Sequence, residues 1–251
     1  KLYEQAQILL ARIIEENLFK CEAVAGLWPA GSSGDDVHVF EDEARTKKLG
    51  AFHFLRRQQV LKNKPQFCLS DYVAPLDCGK TDYIGAFAVN AGEGVDKFAK
   101  EFENKNDDYN AIMTKALGDR FAEAMAEYTH KKVREWWSFG KDENLDNDAL
   151  IKERYRGIRP ASGYPCQPDH TEKDLIWDLL CAKDQIGLEL TESRAMNPGC
   201  SVSGLYFSHP EAQYFNVGSL GRDQVEDYAS RKGWPLAEAM KWLRPNIDFE
   251  D

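Results

Sequence analysis

Apolar residues recur every three or four positions in two long stretches of the chain, which is the spacing of an amphipathic helix. The first stretch covers residues 2–18, and Asn17 and Lys20 suit its end. The longest runs from Asp107 to Trp137 and predicts a helix that packs its apolar face against the core. That predicted face comprises Ile112, Met113, Ala116, Leu117, Phe121, Ala124, Met125 and Tyr128. Shorter helices are predicted at residues 146–154, 172–181, 223–232 and 236–243, with Thr171 as the N-cap of the second of these.

Other segments are short, apolar and rich in β-branched or aromatic residues, as β-strands are. They cover residues 23–28, 37–40, 49–55, 202–207 and 214–217. Residues 83–89 are apolar throughout and predict a buried central strand. A polar turn at residues 31–36 joins the first two strands into a hairpin. Because helices and strands do not alternate as in a doubly wound parallel sheet, the pattern predicts an α+β fold with an antiparallel sheet.

The chain has 251 residues, of which 43% are hydrophobic and 29% charged, enough for a sizeable core in one large domain. A net charge of -10 without a basic stripe argues against a nucleic-acid partner. No apolar run approaches the roughly 20 residues needed to cross a bilayer, and residues 1–18 lack the apolar core of a signal peptide. We therefore expect a cytoplasmic protein with no membrane partner. The six cysteines lie far apart, which predicts reduced, structural thiols and no metal site.

Candidate chemistry concentrates in residues 155–173, where an arginine lies in a backbone dense in proline and glycine. Arg159 can bind a carboxylate through two parallel hydrogen bonds. Residues 161–164 can offer backbone groups to a small polar ligand, with Gly163 allowing an approach that a Cβ would block. The alternative is that Arg159 caps a helix or pairs with Glu153 while the prolines shape a surface loop. The residues alone leave both interpretations open.

Two further sets of residues are candidates for a site. Tyr214 and Phe215 are neighbours in a predicted strand, so one ring can face the core while the other faces a ligand. An ordinary aromatic pair is the alternative. Asp119, Glu123 and Glu127 are spaced by four residues on the long helix, a pattern typical of a solvated face.

The run YRGIRPASGYPCQPDHTEK, residues 155–173, closely resembles the Arg-x-x-x-Gly-Tyr signature of the S-adenosylmethionine-binding activation domain of cobalamin-dependent methionine synthase. Residues 80–89, 107–127, 191–208 and 223–232 are similar to the same family in the same order, so the resemblance spans nearly the whole chain. It implies a single C-shaped α+β domain with a twisted antiparallel sheet flanked by helices. It also implies that residues 1–251 form one activation domain that lacks its N-terminal segment.

The function implied by the resemblance is reactivation of the methyltransferase during methionine biosynthesis. The domain would bind S-adenosylmethionine as methyl donor for the reductive methylation of cob(II)alamin. The cobalamin would be held by a neighbouring module of the same polypeptide, and a flavodoxin-like protein would donate the electron. The isolated fragment is not expected to be active alone. The alternative is a non-catalytic module that senses S-adenosylmethionine or docks a redox partner, and a cobalamin module immediately upstream would decide against it.

The resemblance also implies roles for particular residues. Those implied to bind S-adenosylmethionine are Arg159, Ala161, Gly163, Tyr164, Tyr214 and Phe215, with Glu153 near the polar end of the ligand. Asp119 and Glu123 are implied to contact the cobalamin module. No catalytic acid or base is required. In the family, an acidic residue of the N-terminal segment binds the ammonium group of the ligand, and we do not expect that segment in this chain.

Overall fold

An antiparallel sheet forms the centre of the fold in the computed structural model, which describes residues 2–60, 62 and 65–249. The strands are β1 Lys20–Ser33, β2 Asp36–Phe40, β3 Lys48–His53, β4 Asp82–Glu93, β5 Glu189–Leu190, β6 Met196–Asn197 and β7 Ser201–Tyr206. Five of them make the main sheet in the order β3-β2-β1-β4-β7, with every neighbouring pair antiparallel. The remaining strands, β5 and β6, pair with each other.

Helices cover both faces of this sheet. They are α1 Leu2–Glu15, α2 Val95–Glu103, α3 Asp108–Trp136, α4 Asn147–Ile151, α5 Lys173–Leu180, α6 Ala182–Ile186, α7 Arg222–Lys232 and α8 Leu236–Leu243. Short 3₁₀ turns lie at Leu69–Tyr72, His170–Glu172 and Arg244–Asn246. The combination of helices with an antiparallel sheet confirms the predicted α+β class. In the part of the chain that the structure describes, no helix is both long and apolar enough to span a membrane.

Strand β4 lies between β1 and β7, and its side chains alternate between two hydrophobic cores. Ile84, Ala86 and Ala88 belong to the larger core, which also takes in residues of α5 to α8. Phe87 and Val89 face a second core beneath α3. Both faces of the strand are therefore covered, which explains its continuous apolar sequence and confirms the predicted central strand. A third cluster joins α1, α2 and α3 through Leu9, Ile13, Phe98 and Met113.

Helix α3 packs on the sheet through small side chains, and the predicted apolar face was wrong in part. Ala122 and Ala126 are buried, and a Cβ added to Gly118 would lie 2.8 Å from the nearest side chain. Small residues let the helix approach the sheet closely, while large apolar residues on a neighbouring face still produce the helical period. Of the predicted face, Met113 is buried, Leu117, Phe121 and Met125 are half-buried, and Ile112, Ala116, Ala124 and Tyr128 are exposed.

Several local predictions also differ from the structure. Residues 214–217 form a loop instead of the predicted strand, because their backbone bonds to residues 165 and 166 and not to a neighbouring strand. Thr171 does not cap a helix: its N–H donates to the Asp169 carboxylate at 2.7 Å, so Asp169 is the N-cap of a 3₁₀ turn that leads into α5. The sequence analysis also does not anticipate α2.

The cysteines only partly follow their predicted role. All six are free. Cys68, Cys166 and Cys200 are buried as expected for structural thiols, whereas Cys78 and Cys181 are exposed. A role in core packing is therefore excluded for those two.

Candidate functional site

The Arg159 loop, defined as residues 158–170, begins as an extension of the sheet beside β7. Ile158 and Phe207 exchange two backbone hydrogen bonds of 3.1 Å. Gly204 in β7 lets the carbonyl of Pro160 approach, because a Cβ at that position would lie 2.6 Å from the oxygen. This sheet-like pairing fixes the backbone on both sides of the arginine.

The middle of the Arg159 loop turns at Gly163, whose φ of +91° lies in the left-handed region that favours glycine. The Gly163 N–H donates to the carbonyl of Gln167 at 2.7 Å, and the Gln167 N–H donates to the carbonyl of Tyr164 at 2.9 Å. A Cβ on Gly163 would lie 2.0 Å from Cε1 of His170. The space beside this glycine is thus filled by the histidine ring, so the glycine serves packing as well as its backbone angle.

Tyr214 and Phe215 lie beside the loop and face different environments, as predicted, although they are not in a strand. The Cys166 thiol donates to the carbonyl of Phe215 at 2.8 Å and accepts from its N–H at 3.1 Å. The Phe215 ring is buried and packs against Phe67, with 5.8 Å between ring centroids. Tyr214 is 45% exposed, and its hydroxyl accepts a hydrogen bond of 3.1 Å from the N–H of Arg159. Phe215 therefore anchors this segment while Tyr214 reaches the arginine.

The Arg159 guanidinium is held through a single nitrogen, Nη1. This nitrogen lies 2.8 Å from Oε2 of Glu127 and 3.7 Å from Oε1 of Glu153, and it donates to the hydroxyl of Tyr155. The Tyr155 hydroxyl in turn donates to Oε2 of Glu127 at 3.2 Å. Burial alone would lower the pKa of Arg159, but electrostatic interactions with Tyr155 and Glu127 outweigh burial and raise the pKa. The site thus contains a permanent cation.

The other two guanidinium nitrogens of Arg159 are unused. Within residues 2–60, 62 and 65–249, neither Nε nor Nη2 donates a hydrogen bond to the protein. These two nitrogens form one edge of the planar group, the arrangement that binds a carboxylate through two parallel hydrogen bonds. The side chain is only 15% exposed, so an arriving anion would meet a cation that is largely removed from water.

Two cavities meet at Arg159 and share Ala161, Tyr164 and Tyr214 as lining residues. The first, of about 310 Å³, has a largely apolar wall. The second, of about 270 Å³, has a more polar wall that includes Glu123, Ser162, His170, Lys173, Ser201 and Ser203. A larger cavity of about 600 Å³ lies at residues 32–34 and 70–77, away from every predicted site residue. No predicted site residue lines this larger cavity, so the two smaller cavities are the better candidates for the site.

The polar cavity contains hydrogen-bonding groups that the described part of the protein does not satisfy. The hydroxyls of Ser162 and Ser203 are buried and have no partner there. Buried hydroxyls are normally hydrogen-bonded, to protein or to water. Their presence beside Arg159 indicates a surface built to meet a polar ligand or ordered water.

The structure brings most of the predicted ligand residues together. Arg159, Ala161, Tyr164 and Tyr214 line both cavities, and Phe215 lines the apolar one. The other predicted residues have different positions. Glu123 lines the polar cavity, and Glu153 is 42% exposed beside Arg159. Gly163 lines another cavity of about 300 Å³, and Asp119 is exposed on α3.

Glu127 and Tyr155 are site residues that the sequence analysis misses. The spacing of Glu127 with Asp119 and Glu123 is typical of a solvated helix face, yet the Glu127 side chain is 17% exposed and turned toward Arg159. A weak signal exists, because Tyr155 stands four residues before the arginine and Glu127 ends the acidic series. No local pattern, however, indicates that two residues 28 positions apart share a hydrogen bond.

The fold and the site define a class of protein. It is an α+β domain with an antiparallel sheet, in which an arginine faces a cleft between a proline-rich loop and a long helix. The family model of the vitamin B12 dependent methionine synthase activation domain matches residues 1–233, and the chain belongs to that family. A crystal structure of the MetH reactivation domain bound to AdoHcy is 49% identical in sequence, with a TM-score of 0.96 over 99% of this chain and 77% of that chain. The resemblance found in the sequence is thereby confirmed, and the chain is a domain of a cobalamin-dependent methyltransferase.

Proposed function

We propose that this domain binds S-adenosylmethionine in the cleft at Arg159 and presents it for reactivation of methionine synthase. The observation that carries the proposal is the free Nε and Nη2 edge of Arg159, in a chain 49% identical to a reactivation domain that was crystallised with AdoHcy. S-adenosylmethionine bears the amino-acid carboxylate that such an edge recognises. The proposal therefore starts from a specific pair of donors and not from the family alone.

The residues around Arg159 fit the remaining groups of S-adenosylmethionine. Glu153, 3.7 Å from Nη1 of the arginine, is close enough to attract the ammonium group beside the carboxylate. Tyr164 and Tyr214 offer aromatic surfaces for the sulfonium and adenine groups. Peptide groups of the turn around Gly163 and the unpartnered Ser162 hydroxyl add polar contacts. A cleft of this size and mixed lining is typical of small-ligand sites.

Asp119 and Glu123 are the residues that we propose contact the cobalamin module. Both are exposed and lie one turn apart on α3, and Glu123 also lines the polar cavity next to Arg159. The cobalamin would be held by a neighbouring module of the same polypeptide, and a flavodoxin-like protein is the proposed electron donor. Bound S-adenosylmethionine would supply the methyl group for reductive methylation. Residues 1–251 would act as one domain, and their role would be to position that methyl donor.

Isothermal titration of S-adenosylmethionine into the full-length gene product tests this function. Arg159→Ala should weaken binding by a factor of about 30 to 1000, because a charge-assisted bidentate pair contributes about 2 to 4 kcal/mol. Arg244→Ala is the matched control, since that arginine is exposed and lies in a C-terminal turn. Wild-type protein that does not bind the ligand, or equal affinity in Arg159→Ala, would contradict the proposal.

A further inference from the structure

The side chains that hold the Arg159 guanidinium approach it at Nη1, and this asymmetry affects how the arginine is oriented toward a ligand. The closest contacts of Glu127 and Tyr155 with the guanidinium are both made to Nη1, and the Tyr155 hydroxyl donates a hydrogen bond to Glu127. The Tyr155 hydroxyl bridges the other two groups by hydrogen bonds, and Glu127 forms an ion pair with Arg159. An arginine side chain has several rotatable bonds, so an ion pair and a hydrogen bond at one nitrogen restrict the orientation of the whole planar guanidinium.

Tyr155 is itself fixed by a stack of buried planar groups. The guanidinium of Arg134 lies 3.8 Å from the centroid of the Tyr155 ring, and the ring of His130 meets it edge-on at 4.9 Å. His130 in turn stacks on Tyr206 of β7 at 4.8 Å. Arg134 is fully buried, and its Nε pairs with Glu143 at 2.9 Å. The hydroxyl that holds Arg159 is thus attached to the rigid interface between α3 and the sheet.

Glu127 supplies the charge that this arrangement needs before a ligand arrives. A cation that is 15% exposed has lost much of its hydration, and a carboxylate 2.8 Å away compensates for the loss. Because Glu127 occupies Nη1, it leaves the Nε and Nη2 edge open. The geometry would be different if the carboxylate lay against that edge, since the ligand would then have to displace it.

We infer that Glu127 and Tyr155 are positioning residues that orient Arg159 for the carboxylate of an adenosyl amino acid, an inference that rests on the proposed function. Neither residue touches the ligand in this scheme. Their effect is selective: they improve binding of ligands that have the carboxylate and not of ligands that lack it. A merely structural ion pair would have no such selectivity.

The test compares S-adenosylmethionine with decarboxylated S-adenosylmethionine, which lacks only the carboxylate. Affinities for both are measured by calorimetry, or by competition where binding is weak, in the full-length gene product. Glu127→Gln removes the charge, and Tyr155→Phe keeps the ring packing but removes the hydroxyl. Each variant should bind S-adenosylmethionine about 10-fold more weakly, the effect of losing one hydrogen bond to a charged group. Affinity for the decarboxylated ligand should change less than about 2-fold.

Matched controls come from the same helix. Glu135→Gln and Tyr128→Phe alter a glutamate paired with Lys132 and a tyrosine that is 55% exposed. Both should leave the ratio of the two affinities unchanged. In addition, the Nε–H resonance of Arg159 in the ligand-free protein should broaden or shift in Tyr155→Phe, which reports positioning without any ligand.

The outcomes separate this inference from the proposed function. Equal losses for both ligands, or unchanged affinity in both variants, would overturn the positioning role while Arg159→Ala still supports the function. The positioning role would also be overturned if Arg159→Ala lost the preference for the ligand with the carboxylate while Glu127→Gln and Tyr155→Phe kept it. A wild-type protein that binds neither ligand would overturn both. If Glu127→Gln does not fold, Tyr155→Phe decides alone.

Discussion

Two charged clusters in this domain have the same composition and different consequences. The Arg159 cluster consists of Arg159, Glu127, Glu153 and Tyr155, and the Lys232 cluster consists of Lys232, Asp169, Glu172 and Tyr228. Each contains one cation, two carboxylates and one tyrosine hydroxyl. The Arg159 loop connects them, because it begins next to the arginine and includes Asp169.

The Lys232 cluster is saturated. Its ammonium group lies 3.0 Å from Asp169, 2.7 Å from the Thr171 hydroxyl and 2.6 Å from Glu172, which uses all three of its donors. The side chains of Asp169 and Glu172 are only 1% and 2% exposed. Burial would lower the pKa of Lys232, but the charges of Glu172 and Asp169 outweigh it and raise the pKa. No donor of the ammonium group is left for a ligand, and the cluster holds α7 to the end of the Arg159 loop.

The Arg159 cluster, in contrast, keeps an edge unused and lies at two cavities. Charge composition alone therefore does not distinguish a binding site from a structural network. The two differ in whether the cation keeps hydrogen-bond donors without a protein partner and whether those donors border a cavity.

Lys232→Met should have the largest effect. Removing the cation leaves Asp169 and Glu172 buried without compensation, and breaking a buried pair in this way costs about 3 to 5 kcal/mol. Urea denaturation measures the loss, with Lys241→Met as control because Lys241 pairs on the surface. A loss below about 1 kcal/mol would mean that the two clusters do not differ as described.

Gly163→Ala should come next, because the turn lies between the two clusters. An alanine at φ of +91° is strained and its Cβ overlaps His170, so we expect a loss of about 2 to 3 kcal/mol. Combining it with His170→Ala should remove the overlap and leave about 1 to 2 kcal/mol of backbone strain. Additive effects in this double-mutant cycle would show that the histidine does not fill the space beside the glycine.

His130, which lies near Arg134 and Arg159, should also make the stability depend on pH near neutrality. Burial, followed by the charges of Arg134 and Arg159, holds the pKa of His130 well below its ordinary value. The unfolded chain therefore binds a proton that the folded protein does not, and stability falls as pH drops below the ordinary value of about 6.5, by at most about 1.4 kcal/mol per unit.

His130→Phe keeps the stack on Tyr206 and should flatten that dependence between pH 7 and 5. Burial also lowers the pKa of His38 and His170, so the informative quantity is the difference between wild type and variant. Identical slopes for wild type and variant in denaturation at several pH values would show that the pKa of His130 is the same in the folded and unfolded protein.

Charge reversal at Asp119 and Glu123 should have the smallest effect on stability, no more than about 0.5 kcal/mol, because both are exposed on α3. Binding of S-adenosylmethionine should be nearly intact when Asp119 alone is reversed, whereas recovery of methylcobalamin from cob(II)alamin in the full-length protein should fail when both are reversed. Turnover between homocysteine and methyltetrahydrofolate is the control. Normal recovery would reduce the pair to a solvated surface, and a large loss of thermal stability would indicate a structural role.

Much of this architecture follows from local patterns. The central strand β4 is apolar because both its faces are covered, and that requirement is visible in seven consecutive residues, 83–89. The existence of the long helix α3 follows equally from its period. Its buried face does not, because both Ile112 and Ala122 fit a helical repeat while only the shape of the sheet selects the small residues.

The α+β class, the family and the position of Arg159 in a loop of proline and glycine could all be predicted from the sequence, because they depend on spacing and on neighbouring residues. Tertiary structure alone decided what the arginine contacts. Glu127 belongs by spacing to the same stripe as Asp119 and Glu123, yet it reaches Arg159 from a helix that precedes the loop by more than 20 residues. The physical reason is that a hydrogen bond depends on distances in space, and the packing of α3 on the sheet sets those distances.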